Sequence, residues 1–128
     1  MSDLTVLGRK VTGSLEPHQL ELIPRAPSVT VVTFTTHELT AMCPVTDQPD
    51  LYTMELMYRP KQYVVESKTL KLYLTRWRNV GIFGEDLAHA IAQDIDEHVR
   101  PSYVRCTLEQ QVRGGLQMTV VAEAGEDR

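Results

Sequence analysis

Hydrophobic and polar positions change period twice along this chain, and the changes mark out its elements. From Ser28 to Thr36 the run SVTVVTFTT is rich in β-branched residues and predicts a strand. LYTMELMY, residues 51–58, alternates, so that Tyr52, Met54, Leu56 and Tyr58 share one apolar face of a second strand ended by Arg59-Pro60. From Ser67 the period becomes helical: Leu70, Tyr73, Leu74 and Trp77 fall on one face, with Lys68, Lys71 and Arg78 on others. Asn79–Gly81 breaks this helix. A second helix is expected to begin near Gly84, where Glu85 and Asp86 suit its positive end, and to carry the stripe Leu87, Ala88, Ile91, Ala92, Ile95 and Val99 as far as Arg100-Pro101. Two closing strands follow, one facing inward with Val104, Cys106 and Leu108, the other with Leu116, Met118, Val120 and Ala122. Arg113-Gly114-Gly115 sits at the turn between them. The order strand, strand, helix, helix, strand, strand predicts an α+β domain, a four-stranded antiparallel sheet with two helices on one face. Residues 1–27 mix polar residues with glycine and proline and read as an arm lying along the surface or a neighbouring subunit. The domain itself is expected over 28–123, with a disordered tail over 124–128.

A length of 128 residues fits one domain with a modest core, of a size that often gains from oligomer interfaces. The net charge of −4, without long blocks, argues against a general nucleic-acid binder but not against a small anionic ligand. No stretch is long and apolar enough to span a membrane, and the first twenty residues lack the hydrophobic run of an export signal. Two cysteines in that setting point to free thiols in a reducing cytoplasm.

Chemistry concentrates in four segments. Cys43 opens and Asp50 closes CPVTDQPD, which places a candidate nucleophile and a candidate proton donor on one loop stiffened by Pro44 and Pro49. Cys43 could equally be a small buried apolar residue. In ESKTLKLY, from Glu66 to Tyr73, Ser67 is a candidate N-cap, and Lys68 and Lys71 share a face that is either a basic ligand surface or an ordinary solvated edge. Glu85, after Phe83-Gly84, is either a dipole partner of the helix or an acceptor for paired N–H groups of a purine-like ring. Arg113-Gly114-Gly115 is either a hairpin turn or a phosphate contact. His18, His37, His89 and His98 do not fall at metal-ligand spacing, Cys106 belongs to an apolar strand face, and no dinucleotide fingerprint is present.

Taken together and in order, CPVTDQPD, VESKTLKLYLTRWRN, FGED and RGG closely resemble the short form of the NADPH-dependent nitrile reductases of queuosine biosynthesis, over residues 28 to 123. The resemblance implies the tunnelling fold, with subunits joining their sheets into a barrel and active sites between subunits. It implies reduction of 7-cyano-7-deazaguanine to 7-aminomethyl-7-deazaguanine by NADPH. Carried over by position, Cys43 would attack the nitrile as a thiolate and form a thioimidate, and Asp50 would protonate the nitrogen. Glu85 would hold the deazapurine edge, with Glu66 and a neighbouring subunit's Ser67 helping to seat it. Lys68, Lys71, Arg113 and Gly114 would contact NADPH.

Three positions depart from the pattern. Gly84 stands where the family usually has a histidine, so the resemblance implies that Gly84→His would raise reductive turnover if the gap is a handicap, whereas an unchanged or lower rate would mean that another group has taken the role. Asp47 stands where it usually has glycine, adding negative charge expected to raise the Cys43 thiol pKa unless offset. Leu87 stands where some relatives carry a cysteine that pairs with the nucleophile, so no such disulfide is expected. Two rival readings remain: an archaeosine-type enzyme that adds ammonia to the same thioimidate on a nucleic-acid-bound nitrile, and a non-catalytic deazapurine-binding protein.

Overall fold

In the computed structural model, residues 14–125 are described. The strand order along the sheet is β2-β3-β5-β6, formed by β2 (Val32–Met42), β3 (Pro49–Arg59), β5 (Tyr103–Gln110) and β6 (Thr119–Ala124), all antiparallel neighbours. Helices α1 (Ser67–Thr75) and α2 (Gly84–Val99) cover its inner face. The alternation of β3 works as its sequence predicts: Asp50, Tyr52, Met54, Leu56 and Tyr58 are buried while their neighbours are not. The α2 stripe from Leu87 to Val99 is likewise buried, and β5 contributes Val104, Cys106 and Leu108. Burying those apolar faces is what holds helices and sheet together, since neither layer can hide its own face.

Several boundaries differ from expectation. The first long strand begins at Val32 rather than Ser28 and continues to Met42. The Arg25 side chain donates to the carbonyls of Lys61, Pro27 and Val29, which holds the preceding segment as a turn. A register shift between Thr36 and Leu39 carries the polar pair His37-Glu38 within the strand. Leu116 is not on the last strand. It belongs to a two-residue hairpin in which Arg113 and Leu116 exchange backbone hydrogen bonds at 3.0 Å, leaving Leu116 76% exposed. Gly114 and Gly115 take φ values of 59° and 79°, the paired positive angles a tight hairpin turn demands and glycine alone adopts without strain.

The segment read as an arm is partly built into the domain. Leu15 and Leu20 are buried, and β1 (Leu22–Pro24) pairs antiparallel with β4 (Tyr63–Val65), two short strands too brief to show a period in the sequence. Thr69, fully buried, accepts from the Glu21 backbone N–H through its hydroxyl, which it donates to the Glu66 carbonyl. Residues 1–13 of that expectation lie outside the described residues. So do 126–128 of the expected tail, while Ala124 ends β6 and is buried.

Candidate active site

Four elements converge at one end of the sheet. The connector from α1 to α2 runs beside the end of β2: the Met42 N–H donates to the Val80 carbonyl at 2.9 Å, and the Ile82 N–H to the Met42 carbonyl at 3.0 Å. That contact brings the start of α2 towards Cys43, the residue after β2. The loop between β2 and β3 is closed on itself. The Cys43 N–H donates to the Gln48 carbonyl at 2.8 Å, and the Asp47 N–H to the Cys43 carbonyl at 2.9 Å. Asp47 has φ of 58°. The position the resemblance reserves for glycine is thus one whose backbone is left-handed, and an aspartate tolerates that region better than most residues. On the far side, the Gln111 N–H donates to the Leu51 carbonyl at 2.9 Å and carries the β5–β6 hairpin over the start of β3.

The hairpin delivers Arg113 to the loop. Its guanidinium donates to Asp50 Oδ1, and it hydrogen-bonds the Cys43 thiol as well. Asp50 is 3% exposed and Arg113 is exposed, so a surface cation closes over a buried carboxylate. Arg113, expected either in a hairpin turn or at a phosphate, opens the hairpin turn and in the folded chain joins the thiol–carboxylate pair.

The two cysteines are set apart by their surroundings. Cys106, buried in the sheet with no compensating donor, is pushed up to about 12, which leaves it an inert core thiol. Cys43 is lowered to about 7. Hydrogen bonds from the Thr46 hydroxyl, the Thr46 N–H and the Val45 N–H do most of this, and Arg113 adds to it against a smaller upward push from burial. Whatever Asp47 adds is offset: the net effect of these donors is a thiol below its ordinary value. Thr46 was passed over in the sequence, although a hydroxyl three residues after a cysteine in a proline-flanked turn is a readable signal.

Glu85 lies exposed in the first turn of α2, and the preceding Gly84 is buried. A β-carbon at Gly84 would stand 2.9 Å from Met118 Cε and 3.2 Å from both the hydroxyl and Cε1 of Tyr52. The expectation that a histidine here would raise turnover therefore meets an obstacle, because the space it needs is filled. Tyr52 was read only as an apolar strand residue. It is 2% exposed, but its hydroxyl accepts from Gln110 Nε2 at 3.3 Å and senses Asp50, Arg113 and Glu85. Burial first, and then the negative charge of Asp50, raise the phenol above its ordinary value.

The α1 residues lie elsewhere. Ser67 was expected to cap the helix, but Glu66 does so: its two carboxylate oxygens accept from the Lys68 and Thr69 N–H groups at 3.0 and 2.8 Å. That makes Glu66 the cap of its own helix. Ser67 and Lys71 instead line a groove of about 360 Å³ between α1 and β2, together with Arg78 and β2 residues that include Phe34, Thr36, Glu38 and Thr40. Lys68 and Lys71 are both exposed on α1, and Gly114 faces open space. Neither Cys43, Asp50, Glu85 nor Arg113 lines this groove. Two exposed cations, Lys71 and Arg78, and the Ser67 hydroxyl line this groove, with the Glu38 carboxylate on its β2 side. His89 is exposed on α2, and no cluster of three or more metal-ligating side chains occurs among the described residues.

This thiol site sits on a chain with close relatives. The family model described as QueF-like protein matches residues 49–128. The NADPH-dependent 7-cyano-7-deazaguanine reductase of Syntrophus aciditrophicus is 41% identical over 125 residues, which is 96% of this chain and 87% of the relative. That of Nitrobacter hamburgensis is 41% identical over 123 residues, 93% and 78% of the two chains. Among solved structures, the apo archaeosine synthase QueF-Like superposes with a TM-score of 0.72 at 26% identity, covering 77% of this chain and 96% of that one. The chain belongs to the QueF-like family. Its α+β architecture is the one the resemblance implied.

Proposed function

We propose that this chain reduces the nitrile of 7-cyano-7-deazaguanine to the aminomethyl group, with NADPH as reductant and Cys43 as nucleophile. The names of its relatives support the reaction class and the reductant. The observation that carries the residue assignment is a thiol brought to about 7 beside a buried carboxylate, on a loop closed by its own backbone bonds.

A nitrile carbon is a poor hydride acceptor, and addition of sulfur converts it to a more reactive C=N carbon. Cys43 forms the S–C bond, and the proton its thiol gives up passes by way of Asp50 to the nitrile nitrogen, leaving a thioimidate. Thr46 and Arg113 hold the sulfur as thiolate before attack. Glu85, acceptor-only when ionised, takes the paired N–H donors of the deazapurine edge. Bound NADPH supplies hydride, two equivalents for each nitrile. Lys71 and Arg78 on the groove, with Lys68 exposed on the same helix as Lys71, hold its phosphates.

The groove and the thiol site share no lining residue, so we place the complete site between copies of the chain, with Ser67 of a second copy seating the ring. Both outer strands of the sheet, β2 and β6, lack a further partner strand in the described chain, and Val31 and Val121 beside or on them are half exposed. Such edges are stabilised by pairing, which supports a ring of sheets.

A second reading, ammonia addition to the same thioimidate, is favoured by the structural match to an archaeosine synthase and by the missing side chain at Gly84. Incubation with the nitrile separates the two. Nitrile-dependent NADPH oxidation is expected. Amidine formation from ammonia with NADPH left unconsumed would replace the reductase reading, and no adduct at all would leave a binding protein.

A further inference from the structure

Tyr52 is a buried titratable group at the candidate site that the reaction above does not use. We infer that its hydroxyl is the proton donor to the substrate nitrogen when the carbon accepts hydride, a catalytic role that rests on the nitrile-reduction reading.

Three placements carry this. Tyr52 lies two residues after Asp50 on β3, so both side chains leave the same face of the strand at neighbouring positions. Its hydroxyl occupies the space beside Gly84, 3.2 Å from where a β-carbon would stand, next to the glutamate assigned to the ring. Gly84 and Tyr52 are therefore complementary: the missing side chain is what leaves room for the phenol. Gln110 Nε2 donates to the phenol oxygen, so the phenol's own hydrogen is not used in that bond. Asp50 from β3 and Glu85 from α2 face the group as negative charges, and Arg113 from the hairpin as a positive one. A phenol holds its proton at neutral pH, and burial with the negative charges of Asp50 and Glu85 strengthens that hold, so Tyr52 gives the proton up only to the strongly basic nitrogen that hydride arrival creates.

The balance is simple. Hydride reaches the thioimidate carbon, and the nitrogen takes a proton from Tyr52 Oη. The C–S bond then breaks, the nitrogen's extra proton returns to sulfur, and an imine is left. Hydride reaches the imine carbon and the nitrogen takes a second proton, giving the amine. Each proton lost by Tyr52 is replaced from solvent. One nitrile thus consumes two hydrides and two protons, and Asp50 serves the addition step alone.

The test compares the full chain with Tyr52→Phe, using 7-cyano-7-deazaguanine. Without NADPH, Tyr52→Phe is expected to form the covalent adduct at the wild-type rate, read by mass. With NADPH its kcat should fall by about 100-fold or more, the scale of general acid catalysis, with KM little changed and the adduct accumulating. A Tyr52→Phe kcat within threefold of wild type overturns the assignment, as does a loss of adduct formation in proportion to turnover. Replacing Tyr52 with 3,5-difluorotyrosine, which changes acidity more than shape, should move the high-pH limb of kcat downward. An unmoved limb would also overturn it. A wild-type protein that forms no adduct, or forms one without oxidising NADPH, refutes the proposed function itself and Tyr52's role with it. Normal wild-type turnover with an unimpaired Tyr52→Phe variant refutes Tyr52 alone.

Discussion

Arg113 reaches across 63 positions of sequence to donate its guanidinium to the buried carboxylate of Asp50, and the same side chain hydrogen-bonds the Cys43 thiol. Removing it leaves Asp50 buried without its cation. Arg113→Ala is expected to destabilise the chain by about 1–3 kcal/mol, the cost of an uncompensated buried polar group. Urea unfolding measures this. Adding Asp50→Asn to Arg113→Ala should recover part of the loss, because the two changes share one interaction. Additive losses would mean that the pair carries no coupling energy.

The thiol makes its own prediction for pH. A cysteine brought down to about 7 is half thiolate at that pH, and its alkylation rate should rise through an inflection there and level off above it. An unperturbed thiol at 9.0 would still be rising at pH 8. The Thr46 hydroxyl is the largest cause of the shift, so Thr46→Val should move the inflection upward, towards 9.0. Cys106, pushed up to about 12 by burial, should contribute nothing to the titration in this range. Iodoacetamide kinetics with mass mapping of the two cysteines reads both outcomes.

At Gly84 the prediction is steric. Gly84→Ala places a β-carbon 2.9 Å from Met118 Cε and 3.2 Å from the Tyr52 ring and hydroxyl. The methionine end can swing away, but the tyrosine is buried on a strand. A loss of about 1–3 kcal/mol is expected, as for other overpacked sites, and Met118→Ala in the same chain should return part of it. Gly84→His should then lower turnover rather than raise it. A rise in turnover without loss of stability would show that Tyr52 yields easily.

Asp47 bears on both backbone and charge. A left-handed conformation costs an ordinary residue roughly 1–2 kcal/mol and an aspartate less, while the extra freedom of glycine in the unfolded chain takes back about 0.5–1 kcal/mol. Asp47→Gly should therefore stabilise the fold by up to about 1 kcal/mol. Removing the carboxylate should not raise the Cys43 inflection, since the groups that lower the thiol are Thr46, Val45 and Arg113. Thermal unfolding and the alkylation profile test the two halves separately.

The periodic parts of this chain were readable from its residues. The alternation of Tyr52, Met54, Leu56 and Tyr58 and the stripe from Leu87 to Val99 each impose one burial face, and the folded chain has both. Boundaries set by single side chains were not readable in the same way. Glu66 takes the cap expected of Ser67 because its carboxylate reaches two N–H groups at once, and Arg25 delays the first long strand by gripping three carbonyls. At the site, Cys43, Asp50 and Glu85 stood out by residue type. Arg113 stood out only as a hairpin turn or phosphate contact and Tyr52 only as an apolar strand residue, because their partners come from turns and strand faces that only the fold brings together. The groove with Ser67 and Lys71 stands apart from the thiol, a separation that no spacing in the chain could indicate.

The central claim is that Cys43 adds to a nitrile carbon. It is tested most directly by incubating the protein with 7-cyano-7-deazaguanine in the absence of NADPH and weighing the intact chain. The account predicts a gain equal to one nitrile per chain, mapped to Cys43, lost in Cys43→Ala and discharged when NADPH is added. An unmodified chain, or a modification that survives in Cys43→Ala, would contradict it.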